Sequence, residues 1–485
     1  MARAGRIAKN TTYLTIASVF QKLISFGYYA YLADAIGAGS LGKYTFALTF
    51  TSVFIIFMDF GLGPLLTREA AKDESKLQDH FERIFSIKLV LIGVSLVALF
   101  ASITIAEPLF TNIDWSDVTL VYLGAVIILF DTLTFTFFSV FRALKQMQWE
   151  AIGIVIYQAL ILIVGYLVLR AGMPLPYVLG AILTGSLFQV IYMFILILRK
   201  TDLKFRFVWD WKKVRHILAM SAPFAIAGVI FRINGSADTM MLKVMVGDSH
   251  AGWYSLAFKL TFALTVLPGA FATSYYPAVS ALYKTAREKV HIVFESGLFY
   301  MMIISFPIVA GVAVLGDDII YAVWGSNWEA SVTPLWIFMI GLPFVFFNYP
   351  IGNFLNAVNR QKLNTLNMSI ALVVNIVLNV ILIPYYTFNG AAIAAVASAI
   401  VLVALGLPWV YKISPFNFAF LLKKFSLVAA AAGLMSFVLF FVQHNYSLIV
   451  LIPMGVLLYV SALLLTNGIT KEELQKFKSS LIKRG

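Results

Sequence analysis

The sequence predicts an all-α polytopic membrane protein of about fourteen transmembrane helices, arranged as two pseudo-symmetric six-helix lobes plus two extra C-terminal helices. Three observations carry that prediction. Hydrophobic residues make up 61% of the chain and charged residues 12%, half the charged share of an ordinary soluble domain, which is about 25%. The basic residues collect on alternate connections between apolar segments. The first half of the chain also recurs in the second.

Apolar windows of about 20 residues, the length a helix needs to cross a bilayer, fall at 10–33, 43–63, 84–106, 118–141, 150–170 and 176–198. A second set falls at 217–242, 252–275, 292–315, 331–355, 364–384 and 388–411, and a final pair at 425–443 and 447–466. An even number of crossings puts both termini on one side. The start, "MARAGRIAKN", is basic like a signal peptide, but the apolar stretch runs past Tyr31 and is interrupted by Lys22. That is too long for a signal core, so it reads as a retained first span.

The positive-inside rule tests the layout. Of the 36 basic residues, the outer loops hold only Lys43, Arg170 and Lys243, and Lys22, Arg232 and Lys259 fall within spans. All the others fall on segments assigned to the cytoplasm, including Arg68 to Lys88, the stretch Arg199 to Arg215, and the C-terminal tail. The outer loops "EPLFTNIDWSD" and "GDDIIYAVWGSNWEA" carry acids and no Lys or Arg. Both termini are therefore expected in the cytoplasm, with the protein in the plasma (inner) membrane. The net charge of +13 is a topology signal, and a nucleic-acid partner is excluded on that ground. The absence of cysteine excludes disulfides, thiol catalysis and cysteine-ligated metals.

"GAGSLGKYTFA" (37–47) and "GDSHAGWYSLA" (247–257) share Gly, Gly, Tyr and Ala at one spacing, offset by 210. The same register pairs Ile16 with Ile226, Val19 with Val229 and Lys22 with Arg232. "FRALKQ" (141–146) and "LNAVNR" (355–360) pair at offset 214. The predicted organisation is an N-terminal lobe at 1–198, a basic cytoplasmic linker at 199–215 and a C-terminal lobe at 216–411. Two further helices follow over 412–466, then a basic tail at 467–485. Parallel repeats of this kind place a substrate site between them.

The first helix of each lobe thus carries one cation inside its span at an equivalent position. In the first helix Thr11, Thr15, Ser18, Lys22, Ser25 and Tyr29 share one face. The matching stripe is Ser221, Ala225, Gly228, Arg232, Gly235 and Thr239, and the second helix adds Thr45, Thr49, Ser52 and Asp59. Ser255 and Lys259 are the equivalents of Thr45 and Thr49. Stripes of small and hydroxylic residues also serve as plain helix-packing faces. Lys22, Arg232 and Lys259 are harder to place that way, because Arg232 lies about 15–18 Å beyond Met220 at 1.5 Å per residue. They either pair with Asp238, Asp59 or Asp131, or line a hydrated cavity that takes an anionic cargo. The candidate substrate residues are accordingly Lys22, Arg232, Lys259, Ser25 and Thr49. Asp238, Asp131 and Asp59 are candidates for proton or sodium coupling, and no other cofactor is expected.

"NIVLNVILIPYYTFNGAAIAAVASAI" (375–400), with Asn379, Pro384 and the run Gly390 to Ala394, closely resembles the helix-11-to-12 signature of prokaryotic polysaccharide flippases. These belong to the multidrug/oligosaccharidyl-lipid/polysaccharide exporter superfamily. "MDFGLGPLLTREAAKD" (58–73), "FRALKQMQWEA" (141–151) and "LNAVNRQK" (355–362) resemble the segments that close helices 2, 4 and 10 there. The resemblance covers nearly the whole chain. It implies translocation of a polyprenyl-diphosphate-linked glycan from inner to outer leaflet by alternating access, with buried Arg and Lys on the diphosphate. Lys22, Arg232 and Lys259 fit that role. The implied partners are the lipid-linked glycan, membrane lipid and other polysaccharide-assembly proteins. In relatives, helices beyond the repeat can border a groove for the lipid tail.

Catalytic readings find little support. Asp317 and Asp318 lie in the longest outer loop with no His or Arg nearby. The five histidines are scattered, and no P-loop pattern exists. The charged segment 61–84, with Arg68, Glu69, Lys72 and Asp73, reads as a solvated face or a gate contact. The alternative function is a cation-coupled multidrug antiporter of the same architecture. Asp238 and Asp131 speak for it, and the repeat-matched cations Lys22 and Arg232 speak against it.

Overall fold

The computed structural model describes residues 2–466 and Gly468. The side chains of residues 2–16, 18, 19 and 227 lie outside that description, and so do the N-terminal cations, Thr11, Thr15 and Ser18, and the basic tail apart from Gly468. In chain order the long helices are α1 (Ala2–Asp59), α2 (Leu62–Lys72), α3 (Leu77–Leu109), α4 (Trp115–Ala143), α5 (Gln148–Arg170), α6 (Leu175–Lys200) and α7 (Trp211–Asn234). They continue with α8 (Ala237–Val246), α9 (Asp248–Ala263), α10 (Val266–Thr285), α11 (Val290–Trp324) and α12 (Val332–Ala357). The last three are α13 (Gln361–Ile413), α14 (Phe418–Val442) and α15 (Leu448–Leu465). No strand occurs among the described residues.

Twelve helical stretches among the described residues are long and apolar enough to cross a membrane. Two of them, Phe20–Lys72 and Gln361–Ile413, run to 53 residues, more than twice the ~20 that one crossing needs. Each is interrupted by a non-helical residue, Gly37 in α1 and Thr387 in α13. Each supplies two crossings, in line with the expected total of about fourteen. The chain is a multi-pass membrane protein.

The repeat shows in backbone geometry. Gly37 and Gly247, matched at offset 210, both take positive φ, 72° and 94°. The sequence windows leave loops over 34–42 and 243–251, yet the helices close up to these single glycines. A residue without Cβ reaches such a conformation at little cost, so one position makes the turn. At offset 214, Lys145 and Asn359 match as the left-handed residues that end α4 and α12, with φ of 57° and 61°. The closing bonds match too: Gln146 N–H donates to Phe141 O and Arg360 N–H to Leu355 O, both at 2.8 Å. These are the same helix-ending motif, used twice.

The chain forms two compact units, Met1–Ser255 and Leu256–Gly485. In the first, α1 packs against α3, α4, α5, α7 and α8. Phe81, Phe137, Phe141, Met193 and Ile197 form a buried core around the α2 end of this unit. Gly61, at φ 72°, lets the end of α1 approach α7 so closely that an added Cβ would lie 2.7 Å from Phe224 Cβ. In the second unit α11 packs against α12, α14 and α15, with Phe294, Phe354, Val428 and Leu439 in the core. Across the Thr387 turn, Gly390 lies so near the Leu382 backbone that a Cβ there would meet its carbonyl at 2.5 Å. This is the physical use of glycine in the "FNGAA" motif.

Two expected single spans are broken. The span at 217–242 divides into α7 and α8 around Gly235 and Ser236. Asn234, Gly235 and Ser236 are all weak helix formers, by backbone freedom or by competing side-chain hydrogen bonds. The span at 252–275 divides into α9 and α10 at Leu264 and Thr265. Pro268 cannot donate to the Leu264 carbonyl, which favours a break there.

Candidate functional site

Arg232 sits in the last turn of α7, immediately before the break. The α7–α8 junction is closed by Gly235 N–H to Phe231 O at 3.2 Å and Ser236 N–H to Ile233 O at 3.0 Å. α8 then starts with Ala237, Asp238 and Thr239 buried. Irregular backbone at membrane depth occurs only where it is covered by protein or lines a water-filled cavity, and broken helices of this type mark substrate sites in transporters.

α7 is placed against α1 by close glycine contacts. Gly61 meets Ser221 and Phe224, and Gly228 faces Ile56 at 3.8 Å, measured from an added Cβ. Arg232 lies one turn, about 6 Å, further along α7. Because α1 and α7 run antiparallel here, the corresponding turn of α1 holds Ser52, whose Oγ donates to Thr49 O at 2.7 Å. Thr49 and Ser25 are half-buried, and Lys22 is exposed. Lys259, on α9, belongs to the second unit and is half-buried.

The three acids have partners of their own. Asp59 accepts a hydrogen bond from Lys88 Nζ at 2.6 Å. Asp131 accepts one from Ser186 Oγ at 2.7 Å. Asp238 accepts one from the Tyr254 hydroxyl at 2.6 Å. Among the described residues neither Arg232 nor Lys22 has a carboxylate within 4.0 Å. For Arg232 and Lys22, the pairing with Asp238, Asp59 or Asp131 that the sequence leaves open is not formed among the described residues.

Two buried cations were misplaced by sequence reasoning. Lys88 reads as a cytoplasmic residue but is fully buried on α3 against Asp59. Lys243 reads as an outer-loop residue but is fully buried at the end of α8. It bridges Asp117 at 2.8 Å and Asp248, with the Phe46 ring 5.9 Å away. Asp117 Oδ1 has no hydrogen-bond partner among the described residues. Its other oxygen accepts the Asp114 N–H at 3.0 Å in the capping box of α4. Beside it Lys43 binds Asp114 at 2.6 Å and Ser116 at 2.5 Å. Burial alone would push the Asp114 carboxyl up, but hydrogen bonds from Lys43, Ser116 and the Asp117 N–H outweigh it and hold that carboxyl below the usual range. The available signal was pairwise: two of the three outer-loop cations, Lys43 and Lys243, stand opposite the only acids of the loop "NIDWSD".

The segment read as a solvated face or gate contact carries its own ion pairs. Glu69 accepts from Arg68 at 2.8 Å and Lys72 at 2.9 Å, all on α2. The Arg68 guanidinium also stacks over the Phe224 ring of α7 at 5.5 Å.

The chain resembles several proteins of known name. The probable low-salt glycan biosynthesis flippase Agl15 of Haloferax volcanii is 24% identical over 393 residues, 81% of each chain. The capsular polysaccharide biosynthesis protein CapF of Staphylococcus aureus is 21% identical over 405 residues, 81% of this chain and 97% of that one. Among solved structures, the lipid II flippase MurJ in an inward closed conformation matches with a TM-score of 0.75 at 18% identity, covering 93% of this chain and 97% of that chain. The fold is therefore shared. The MatE sequence model matches residues 223–381. The sequence model described as polysaccharide biosynthesis protein matches residues 7–283, more than half of the chain, and the protein belongs to that family.

Proposed function

We propose that this protein is a flippase that carries a polyprenyl-diphosphate-linked glycan from the inner to the outer leaflet. The observation that carries the reading is Arg232: a cation inside a span, beside a broken helix, with no carboxylate within 4.0 Å among the described residues. Such a charge is costly in a membrane unless an anion meets it. A diphosphate is that anion, and a guanidinium fork suits it. Lys22, its repeat mate, and Lys259 serve the same headgroup, with Ser25 and Thr49 as hydroxylic neighbours. The names of the relatives, a glycan flippase and a capsular polysaccharide protein, support the same substrate class.

Transport runs by alternating access of the repeat halves 1–198 and 216–411, joined through the linker 199–215, with 412–466 bordering the lipid tail. Both termini face the cytoplasm. Coupling falls to Asp131 or Asp238, which accept hydrogen bonds from the Ser186 and Tyr254 hydroxyls. Asp59 is the weaker candidate because Lys88 already neutralises it. Transport unchanged across pH and sodium in Asp131→Asn and Asp238→Asn would remove both from that role.

The second reading, a cation-coupled multidrug antiporter, is favoured by the MatE match over 223–381. Binding of purified protein to a panel of lipid-linked oligosaccharides and a panel of organic cations separates them. Saturable binding of the lipid-linked sugars alone supports the flippase. Binding of the cations alone overturns it.

A further inference from the structure

We infer that the linker between the repeat halves is a docking surface for the acidic phospholipids of the inner leaflet. The inference rests on the orientation proposed above. Residues 201–210 form a strap without helix or strand that is pinned lengthwise to α3. Gln78 Nε2 donates to Lys204 O at 2.9 Å, and the Lys204 N–H returns to Gln78 Oε1 at 3.0 Å. Eight residues further along α3, Ser86 Oγ accepts the Val208 N–H at 2.9 Å. The strap therefore travels about 12 Å along α3, at 1.5 Å per helical residue. It moves from the charged first turns of that helix to the point where its apolar run begins.

Leu203 and Phe205 pack inward, while Asp202, Lys204 and Arg206 beside them are exposed. Leu203 is buried, and Phe205 fits edge-on against Phe81 at 5.2 Å and Phe85 at 5.3 Å. Past that anchor, Phe207, Trp209 and Trp211 are exposed by 64%, 42% and 68%. They form a continuous ladder: Phe207 stacks on Trp209 at 6.1 Å with an interplanar angle of 2°, and Trp209 lies 6.3 Å from Trp211. Around them Lys204, Arg206, Lys212, Lys213 and Arg215 are exposed. Exposed tryptophans at the height where charged side chains give way to apolar ones fit the headgroup layer of a bilayer. A basic cluster beside them fits an anionic leaflet. A glycan could also stack on such rings, but the cations around them and the depth reached on α3 favour the lipid.

The test uses the full-length protein in detergent, with native mass spectrometry after titration with phosphatidylglycerol or phosphatidylcholine. The wild type should retain phosphatidylglycerol in preference. The variant Lys212→Gln/Lys213→Gln/Arg215→Gln should lose that preference by about fivefold per cation removed. Phe207→Ala/Trp209→Ala/Trp211→Ala should weaken retention of both lipids. Thermal unfolding of each variant checks that it is folded, and Trp211→Phe provides a milder probe if the triple change is not tolerated. Equal retention of the two lipids by the wild type overturns the inference, as does an unchanged preference in the neutralised variant. Protection of the tryptophan fluorescence by a soluble oligosaccharide but not by phosphatidylglycerol also overturns it. The readout needs no transport, so it stands or falls separately from the flippase reading.

Discussion

Ser255 Oγ donates to Thr45 Oγ1 at 3.2 Å, and the two residues are counterparts of each other, 210 positions apart in the repeat. Repeat mates can touch only where the pseudo-twofold axis passes between them. The glycines one turn earlier obey the same symmetry. A Cβ on Gly42 would collide with the Asp248 carbonyl, and one on Gly252 would collide with the Ala38 carbonyl. Ala38 is the mate of Asp248, and Gly42 is the mate of Gly252. The start of α9 and the part of α1 after Gly37 therefore cross backbone to backbone about that axis.

This crossing predicts that Gly42→Ala and Gly252→Ala are both destabilising, and by similar amounts. Overpacking typically costs about 1–3 kcal/mol, and here the clash is with backbone that cannot swing aside. The melting temperature of purified protein in detergent should fall comparably in the two variants. A large drop at one glycine with none at its mate counts against a symmetric crossing. Glycines with open space around them, such as Gly93 and Gly433, are the controls and should tolerate alanine.

The buried Lys243 makes a stability prediction. Lys243→Met leaves Asp117, fully buried, and Asp248 without their cation. Removing one partner of a buried pair typically costs about 3–5 kcal/mol. Lys243→Met should therefore unfold at markedly lower temperature. Adding Asp117→Asn should restore much of the loss, because the amide keeps an acceptor for the Asp114 N–H without the charge. If the double variant is no better than the single one, the damage comes from packing against Phe46 and not from the orphaned carboxylate.

What the sequence revealed and what it hid divide along physical lines. Span count and repeat register were legible because hydropathy and periodicity leave local marks in the sequence. Gly37, Gly247, Lys145 and Asn359 confirm that register in their dihedral angles. The partners of the charges were hidden. Lys88 and Lys243 look like loop cations when only their flanks are read, since Asp59 lies 29 positions from Lys88 and the buried partner of Lys243, Asp117, lies 126 positions away. The break at Gly235 was hidden as well, because an Asn-Gly-Ser stretch inside an apolar window changes its hydropathy very little.

The orientation can be tested without background, because the chain contains no cysteine. Single cysteines at Thr201, Gln146 and Gln361 should resist an impermeant thiol reagent in intact cells and react after lysis. A cysteine at Ser326, between α11 and α12, should react from outside. Labelling at Thr201 but not at Ser326 reverses the orientation and, with it, the side on which the linker meets lipid.

The decisive substitutions are at Arg232. If it holds the anionic headgroup, Arg232→Ala should cripple export while leaving abundance and membrane insertion near normal. Losing one charge-assisted contact typically costs ~1.5–3 kcal/mol, which is about 10- to 150-fold in affinity. Arg232→Lys should keep part of the activity, since the charge remains and the planar fork does not. If Arg232 instead served to neutralise Asp238, Arg232→Ala should damage folding, and adding Asp238→Ala should restore both abundance and transport. The geometry favours the first outcome, because Asp238 takes its hydrogen bond from Tyr254 and Arg232 has no carboxylate within 4.0 Å among the described residues. Recovery of export in the double variant would sink the substrate role.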